Sequence, residues 1–460
     1  MINYQLNTTT TVFFYITLVI GIIFMLLLSS DWLFFMFAFI KNKKKLDKYK
    51  PKKNRSFAIV IPAHNESGVV GQLIDSLKAQ KYDGVIDIYL VADNCTDNRK
   101  TYNIGVEKGI IALERFNDKF KGGNFALQHG LRYIRDNNLS DKYDCFCFFD
   151  ADNLVDENWV YEVNKAYDFY SDIQVVTTYR NSKNYADNWI SSAYSIQFLK
   201  ESDVINKGRT TLNHPAYING TGFSFTRKIL EKTNWWDFNS LSHDIEFTQW
   251  LLMNNVKTGY TENACFYDEQ PIDFKSSWKQ RMRWCVGFKQ VWNLYKSPMI
   301  KNMFSFKMNK IKLWANLTMI FPVVITLLIN LLFWVITSGL MISNYFVNYA
   351  NNISISINDI HMYLINLIIY IVTTPFVILG VIFINYLLWS FIIVIRNRKS
   401  INATRWQKFK SIFTYPLFML TYIPVSFVAL FKKTYSTTPI ARKAQSEQNQ
   451  IPLNAKTSKN

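Results

Sequence analysis

Residues 56–80 read SFAIVIPAHNESGVVGQLIDSLKAQ. A short β-branched apolar run gives way to a polar turn, then to a helical period that sets Val69, Leu73 and Leu77 on one face. The same cadence returns at 87–98, DIYLVADNCTDN, and at 143–153, YDCFCFFDADN, each a strand pattern ending in acidic or amide residues. Strands alternating with helices predict a parallel sheet wrapped by helices, and such sheets collect ligands at the carboxyl ends of their strands. The three polar clusters fall at those ends. Cys145 and Cys147 alternate within an apolar run and read as buried strand positions.

The flanks are of a different kind. Residues 11–28, TVFFYITLVIGIIFMLLL, carry no charge, and 18 residues is about the least that crosses a hydrocarbon layer of roughly 30 Å. A second apolar block runs from Trp32 to Ile40, and KNKKKLDKYKPKK follows it. With no basic n-region and no small-residue cleavage site, the segment reads as a retained anchor. Leu313 to Ile342 and Met362 to Ile395 are long and almost uncharged, and Ile412 to Phe431 is a third block interrupted by Pro416 and Pro424. An integral membrane protein is expected, multi-pass and in the plasma membrane. The runs at 41–55 and 396–410 are strongly basic while 343–361 has neither lysine nor arginine, so 343–361 should face out and 41–312 should be cytoplasmic. Ile412 to Phe431 reads either as a crossing or as a re-entrant or interfacial segment.

The chain carries 52 basic and 34 acidic residues, a formal charge of +18. The excess sits beside the apolar segments, where anionic headgroups attract it, so membrane lipid is the expected partner and nucleic acid is not. The five cysteines, Cys95, Cys145, Cys147, Cys265 and Cys285, show no paired metal spacing and suit a reduced compartment. The apolar segments lack the buried charges that mark ion pathways, which argues against a transporter or channel.

Within the soluble stretch, Asp150 and Asp152 stand one residue apart at a strand end, where two carboxylates can present hard oxygen to one Mg²⁺ or Mn²⁺. A solvated acidic loop has the same signature. Asp93 ends the preceding strand, placed to accept from a nucleobase or ribose. Lys121, with Gly122 and Gly123 after it, offers a cation and backbone that can approach a phosphate, or simply a helix-start turn. Asp244 opens the apolar-periodic segment containing Ile245, Phe247, Trp250 and Leu251, as a helix-dipole partner or as a rigidly held general base. QRMRW, residues 280–284, sets two arginines beside a tryptophan. Its surroundings, Trp278, Lys279, Phe288, Lys289 and Trp292, also suit an interfacial amphipathic helix.

In order along residues 57–295, PAHNE (62–66), ADN (92–94), KGGN (121–124), DAD (150–152), NGTGF (219–223), SHD (242–244) and QRMRW (280–284) resemble the membrane-bound family 2 glycosyltransferases, the group containing cellulose, chitin, hyaluronan and poly-N-acetylglucosamine synthases. The flanking anchors match by layout. The resemblance implies an α/β, nucleotide-sugar-binding GT-A-like (Rossmann-like) cytoplasmic domain with transmembrane helices at both ends. It implies an inverting transfer of a hexose or N-acetylhexosamine from a UDP-sugar donor to a growing polysaccharide.

Carried over by position, Pro62, His64, Glu66, Asp93, Lys121, Asp150 and Arg283 would bind the donor, with Asp150 and Asp152 holding Mg²⁺ or Mn²⁺ on the diphosphate. Asp244 would deprotonate the acceptor hydroxyl, and Gly220, Thr221, Gly222, Gln280 and Trp284 would face the acceptor. Arg283 would clamp the pyrophosphate as charge develops on it, while Arg281 assists or faces headgroups. Two positions depart from the family pattern. His243 stands where Glu is usual, and His64 where Tyr is common.

The implied organisation is an anchor at 1–40, a basic linker at 41–56, the glycosyltransferase domain at 57–274, interfacial amphipathic helices at 275–312, a transmembrane region at 313–431 and a polar tail at 432–460. Two other readings stay open: a non-processive transferase with a glycolipid acceptor, and an inactive nucleotide-sugar-binding scaffold. An oligomer or accessory subunit is compatible with either. Asn316, Thr318, Thr326, Asn330, Asn366, Thr373, Thr374 and Asn385 suggest a narrow polar path through 313–395.

Overall fold

The computed structural model describes residues 8–38, 43–305, 308–350 and 357–435. Most of the expected tail, and residues 351–356 of the segment expected to face outward, lie outside the described residues.

Eight strands form one sheet: β1 (Phe57–Ala63), β2 (Ile86–Asp93), β3 (Ile111–Arg115), β4 (Cys145–Phe148), β5 (Leu154–Val155), β6 (Val175–Ser182), β7 (Phe223–Thr226) and β8 (Thr258–Asp268). Their order is β3-β2-β1-β4-β7-β6-β8-β5. The first four pair in parallel, with Ala63 opposite Ala92, Asp93 opposite Arg115 and Val60 opposite Phe148. The carboxyl ends of β1, β2 and β4 therefore open on one edge.

The parallel sheet expected from the sequence has antiparallel additions: β5 runs antiparallel to β8, and β7 to both β4 and β6. Gly220 and Gly222, at φ of 93° and 66°, reverse the chain there, and the Gly222 amide donates to the Phe148 carbonyl. β1 is buried along its whole length because helices cover both faces. On one side Phe57, Ile59 and Ile61 meet Val70, Leu73, Leu77, Trp159 and Val163. On the other, Ala58 and Val60 meet Ala126, Leu127 and Leu131. Cys145 and Cys147 are buried in β4, as their alternation indicated.

Among the described residues, four helical stretches are long and apolar enough to cross a membrane: Thr8–Phe37, Val324–Val347, His361–Arg396 and Arg405–Leu430. The block expected to cross from Leu313 is divided. Helix Lys310–Ile320 ends before Pro322, which cannot continue it, and a new helix starts at Val324. The shorter piece packs Leu313 and Ile320 against Ile245 and Leu252 of the α/β domain and Val291 and Met299 of helix Phe274–Met303.

The last block forms helices Arg405–Leu420 and Tyr422–Leu430, and both ends touch the α/β side. Gln407 donates to the Ala186 carbonyl, and Tyr415 to Gln197. At the far end Lys289 donates to the carbonyls of Ala429 and Leu430, each at 2.8 Å.

Candidate active site

Helix Phe274–Met303 packs against helix His243–Met253, and Gly287 lets it come close. A Cβ there would lie 2.2 Å from the Ser242 Oγ. One turn before Gly287, Arg283 is brought against the start of helix His243–Met253, which carries Asp244. A cavity of about 910 Å³ results. Pro62, His64, Glu66, Asp93, Lys121, Asp150 and Asp152 line it from the strand-end side, and Gly220, Asp244, Gln280, Arg283 and Trp284 from the other.

At the strand ends His64 Nδ1 lies 2.7 Å from the Asp93 carbonyl, which can only accept, so that nitrogen carries the proton. Asp93 is buried and accepts from Arg115, which also donates to the Phe120 carbonyl. The Asp150–Asn153 turn rests on Thr221. Its hydroxyl accepts from the Asp150 amide at 2.9 Å and donates to Asn153 Oδ1 at 2.6 Å, while Asn153 donates to Asp152 at 3.1 Å. Lys121 is exposed beside Asp118.

Two residues expected to face the acceptor do not line the cavity. Thr221 is buried beneath the carboxylate turn, and Gly222 packs so tightly that a Cβ would lie 2.1 Å from the Phe266 ring.

Arg281 is a further correction. Residues two apart on a helix point to different faces, whereas 280, 283 and 284 share one. Arg281 is fully buried on the far side, over the rings of Phe418 (4.5 Å) and Tyr422 (5.0 Å), with hydrogen bonds to Thr421 and the Ser277 carbonyl. It joins this helix to the last two and does not line the cavity. Trp284 stands edge-on to Tyr194 at 5.7 Å.

Asp244 is half-buried, and burial pushes its pKa up to about 6 against the opposing charges of Arg180 and Arg283. His243 brings no charge beside it. Burial, then the Arg283 charge, pulls its pKa down to about 4, and its ring packs edge-on to Trp236 and Phe148.

Arg180 went unremarked in the sequence. Buried at the end of β6, it pairs with Asp268, donates to the Asn219 carbonyl at 2.6 Å and lies over the Phe198 ring, within electrostatic reach of both Asp244 and Asp150. Glu201 was also missed. It sits in a π-helical turn, Glu201–Ile205, a distortion often found at functional sites, and accepts from Asn219 and Gln197.

Among the described residues no group of three or more His, Cys, Asp or Glu side chains is arranged to cage a metal ion. Asp150 and Asp152 still fit Mg²⁺ or Mn²⁺. They are hard oxygen donors on a turn braced from below, opening on a cavity with room for a ligand that brings further oxygens.

Residues 58–233 match the family described as Glycosyl transferase family 2, and residues 146–431 match Glycosyl transferase family group 2. A probable glycosyltransferase YdaM of Bacillus subtilis (strain 168) is 25% identical over 256 residues, covering 51% of this chain and 55% of that protein. A poly-beta-1,6-N-acetyl-D-glucosamine synthase of Staphylococcus aureus (strain MSSA476) is 21% identical over 234 residues, 50% of this chain and 54% of its own. The chain thus spans little more than half the length of these two relatives. Among solved structures, the mannosyltransferase PcManGT of Pyrobaculum calidifontis superposes with a TM-score of 0.51 at 12% identity, over 90% of this chain and all of that one. That likeness extends to the fold, the GT-A-like α/β sheet anticipated from the motifs. With the group 2 match running from β4 to the last helix, the chain belongs to glycosyl transferase family group 2.

Proposed function

We propose that the protein is a metal-dependent, inverting glycosyltransferase that moves a hexose or N-acetylhexosamine from a UDP-sugar to a glycan hydroxyl at the membrane face. The observation that carries this reading is the single cavity shared by a carboxylate pair, a half-buried Asp244 with a pKa of about 6, and Arg283. Asp150 and Asp152 would hold Mg²⁺ or Mn²⁺, which when bound supplies charge neutralisation at the diphosphate. PcManGT is described in complex with GDP-Man and Mn²⁺, and the Staphylococcus aureus relative is named for a polysaccharide product.

Asp244 accepts the proton of the attacking hydroxyl. A carboxylate with a pKa near 6 is ionised at neutral pH and still basic enough to take a proton in the transition state. Arg283 faces the leaving diphosphate, where fixed charge stabilises the transition state more than the ground state. His64 and the buried Asp93 stand at the nucleoside end.

A second reading, a lipid-borne acceptor, has its own support. The membrane helices contribute to the cavity chiefly through the ends nearest the α/β domain: Leu27, Ser30, Val324, Asn385 and Trp389. Of the residues expected to form a polar path, Thr318 and Asn385 line the cavity, but Asn366 and Thr373 lie exposed on the outside of their helix. Such a cavity suits an acceptor presented from the bilayer surface better than a chain threaded across it. Helices Arg405–Leu420 and Tyr422–Leu430, tied at both ends to the α/β side, then lie along that surface or re-enter it, with the transferase domain cytoplasmic.

The test is nucleotide release by membrane-embedded protein supplied with UDP-glucose, UDP-galactose, UDP-N-acetylglucosamine or GDP-mannose, with and without Mg²⁺ or Mn²⁺. Metal-dependent turnover with one donor supports the proposal. UDP binding with no turnover, in native membranes that retain lipids, would favour the inactive scaffold.

A further inference from the structure

Among the described residues Arg209 and Arg281 are both buried arginines with no carboxylate within ion-pair distance, and of the two Arg209 lines the cavity. It is 2% exposed, lines the cavity near the membrane helices, and belongs to helix Asn206–Thr211. Its hydrogen bonds are all to neutral groups: the Pro215 carbonyl at 3.0 Å, Asn316 Oδ1 at 3.1 Å, His214 and the Met319 sulfur. Its Nε is buried with no hydrogen-bond partner, and among the described residues no carboxylate lies within ion-pair distance. Asp31 is the acid that acts on it electrostatically, and Asp31 is already engaged by Lys200 at 2.7 Å. Burial draws the Arg209 pKa down to about 10, so it stays charged at neutral pH. Stacking over Phe34 (4.9 Å) and Tyr217 (5.9 Å) orients the guanidinium and offsets part of the cost of burying it.

The walls of this end come from the membrane segments: Leu27 and Phe34 from the first, Val323 and Val324 from the second, Tyr386 and Trp389 from the third. An anion that reaches Arg209 along these walls arrives attached to something apolar. The path to the transfer site is short. Tyr217, against Arg209, is three residues from Gly220, whose Cβ position lies 3.7 Å from an Asp244 carboxylate oxygen. Three residues span at most about 11 Å, the length of one or two sugar rings.

We propose that the membrane end of the cavity binds the phosphate of a membrane lipid, with Arg209 as its counter-charge, and that this lipid carries the glycan hydroxyl presented to Asp244. The phosphate binding stands on Arg209 and the cavity; the acceptor role rests on the transferase reading given above. A planar guanidinium with Nε available suits two phosphate oxygens at once.

The experiment uses full-length protein in detergent micelles and compares dioctanoyl phosphatidic acid, dioctanoylglycerol and inorganic phosphate as ligands, in wild type and in Arg209→Met. Phosphatidic acid should bind about tenfold to a hundredfold more tightly than dioctanoylglycerol, and the difference should collapse in the variant. Equal binding of the two lipids, or selectivity that survives Arg209→Met, overturns the site. Inorganic phosphate binding as tightly as phosphatidic acid makes it a free-anion site and overturns the lipid claim. Mn²⁺-dependent UDP binding is measured on the same samples. UDP binding without lipid selectivity removes the phosphate site and leaves the transferase reading, whereas lipid selectivity without UDP binding removes the acceptor role.

If Arg209→Met fails to fold, wild-type protein is photolabelled with a diazirine phosphatidic acid. Label on the segments holding Phe34, Arg209 or Tyr217, competed by phosphatidic acid and not by dioctanoylglycerol, supports the proposal. Label confined to other segments overturns it.

Discussion

Replacing Asp244 by Asn should abolish turnover and at the same time stabilise the protein. In the native state the carboxyl has a pKa of about 6 against an ordinary value of 3.8, chiefly because burial penalises its charge. Between those two values the folded protein binds more protons than the unfolded chain, so stability falls as pH rises through that window. Above pH 6 the accumulated cost is about two units at 1.36 kcal/mol each, or about 3 kcal/mol.

Asparagine removes the charge and keeps an oxygen to accept the helix-start amides that the carboxylate accepts now. For a domain of this size the gain is roughly 5–10 °C in melting temperature at pH 8, and it should shrink to less than half by pH 4.5, where the wild-type carboxyl is itself largely neutral. Turnover should fall by about 10²- to 10⁴-fold. The assays are thermal unfolding of detergent-solubilised protein at the two pH values and nucleotide release at pH 8. A variant that melts below wild type at pH 8, or that retains turnover within tenfold, would refute the assignment of Asp244 as a desolvated base.

Three other outcomes are expected. Asp150→Asn and Asp152→Asn should each weaken Mn²⁺-dependent UDP binding more than tenfold by titration calorimetry, while metal-free UDP binding changes little; equal loss in both conditions would argue against a metal on this turn. Gly222→Ala places a methyl against the Phe266 ring at a φ of 66°, so it should cost on the order of 2–4 kcal/mol and lower the unfolding temperature, an effect absent from Gly68→Ala, where a Cβ meets nothing within 4 Å. Arg281→Met should loosen the last helix, seen as faster proteolysis after residue 421, with donor affinity within about threefold of wild type; a large loss of UDP affinity would return Arg281 to the phosphate site.

The strand ends were legible because each strand buried on both sides is a continuous apolar run that must stop where polar chemistry starts, at His64, Asp93 and Asp150. Arg180 was not, because its role depends on the pairing of β6 with β8, whose register slips between Thr178 and Tyr179, and no local pattern encodes that shift. The two arginines of QRMRW could have been told apart from helical spacing alone, which puts 280, 283 and 284 on one face. Thr221 and Gly222 misled for the opposite reason. They stand beside Gly220 in sequence, but a glycine-driven reversal turns only Gly220 toward the cavity. Pro322 likewise announced the break that divides the block beginning at Leu313.

Helix Tyr422–Leu430, fastened by Lys289, supplies Ser426, Ala429 and Leu430 to the cavity wall. A chain cut short before residue 426 would lack the part of the cavity wall that Ser426, Ala429 and Leu430 supply, and Cys285 would lose its Ser426 neighbour. On the proposed function, the donor site is then enclosed only when these last helices are in place.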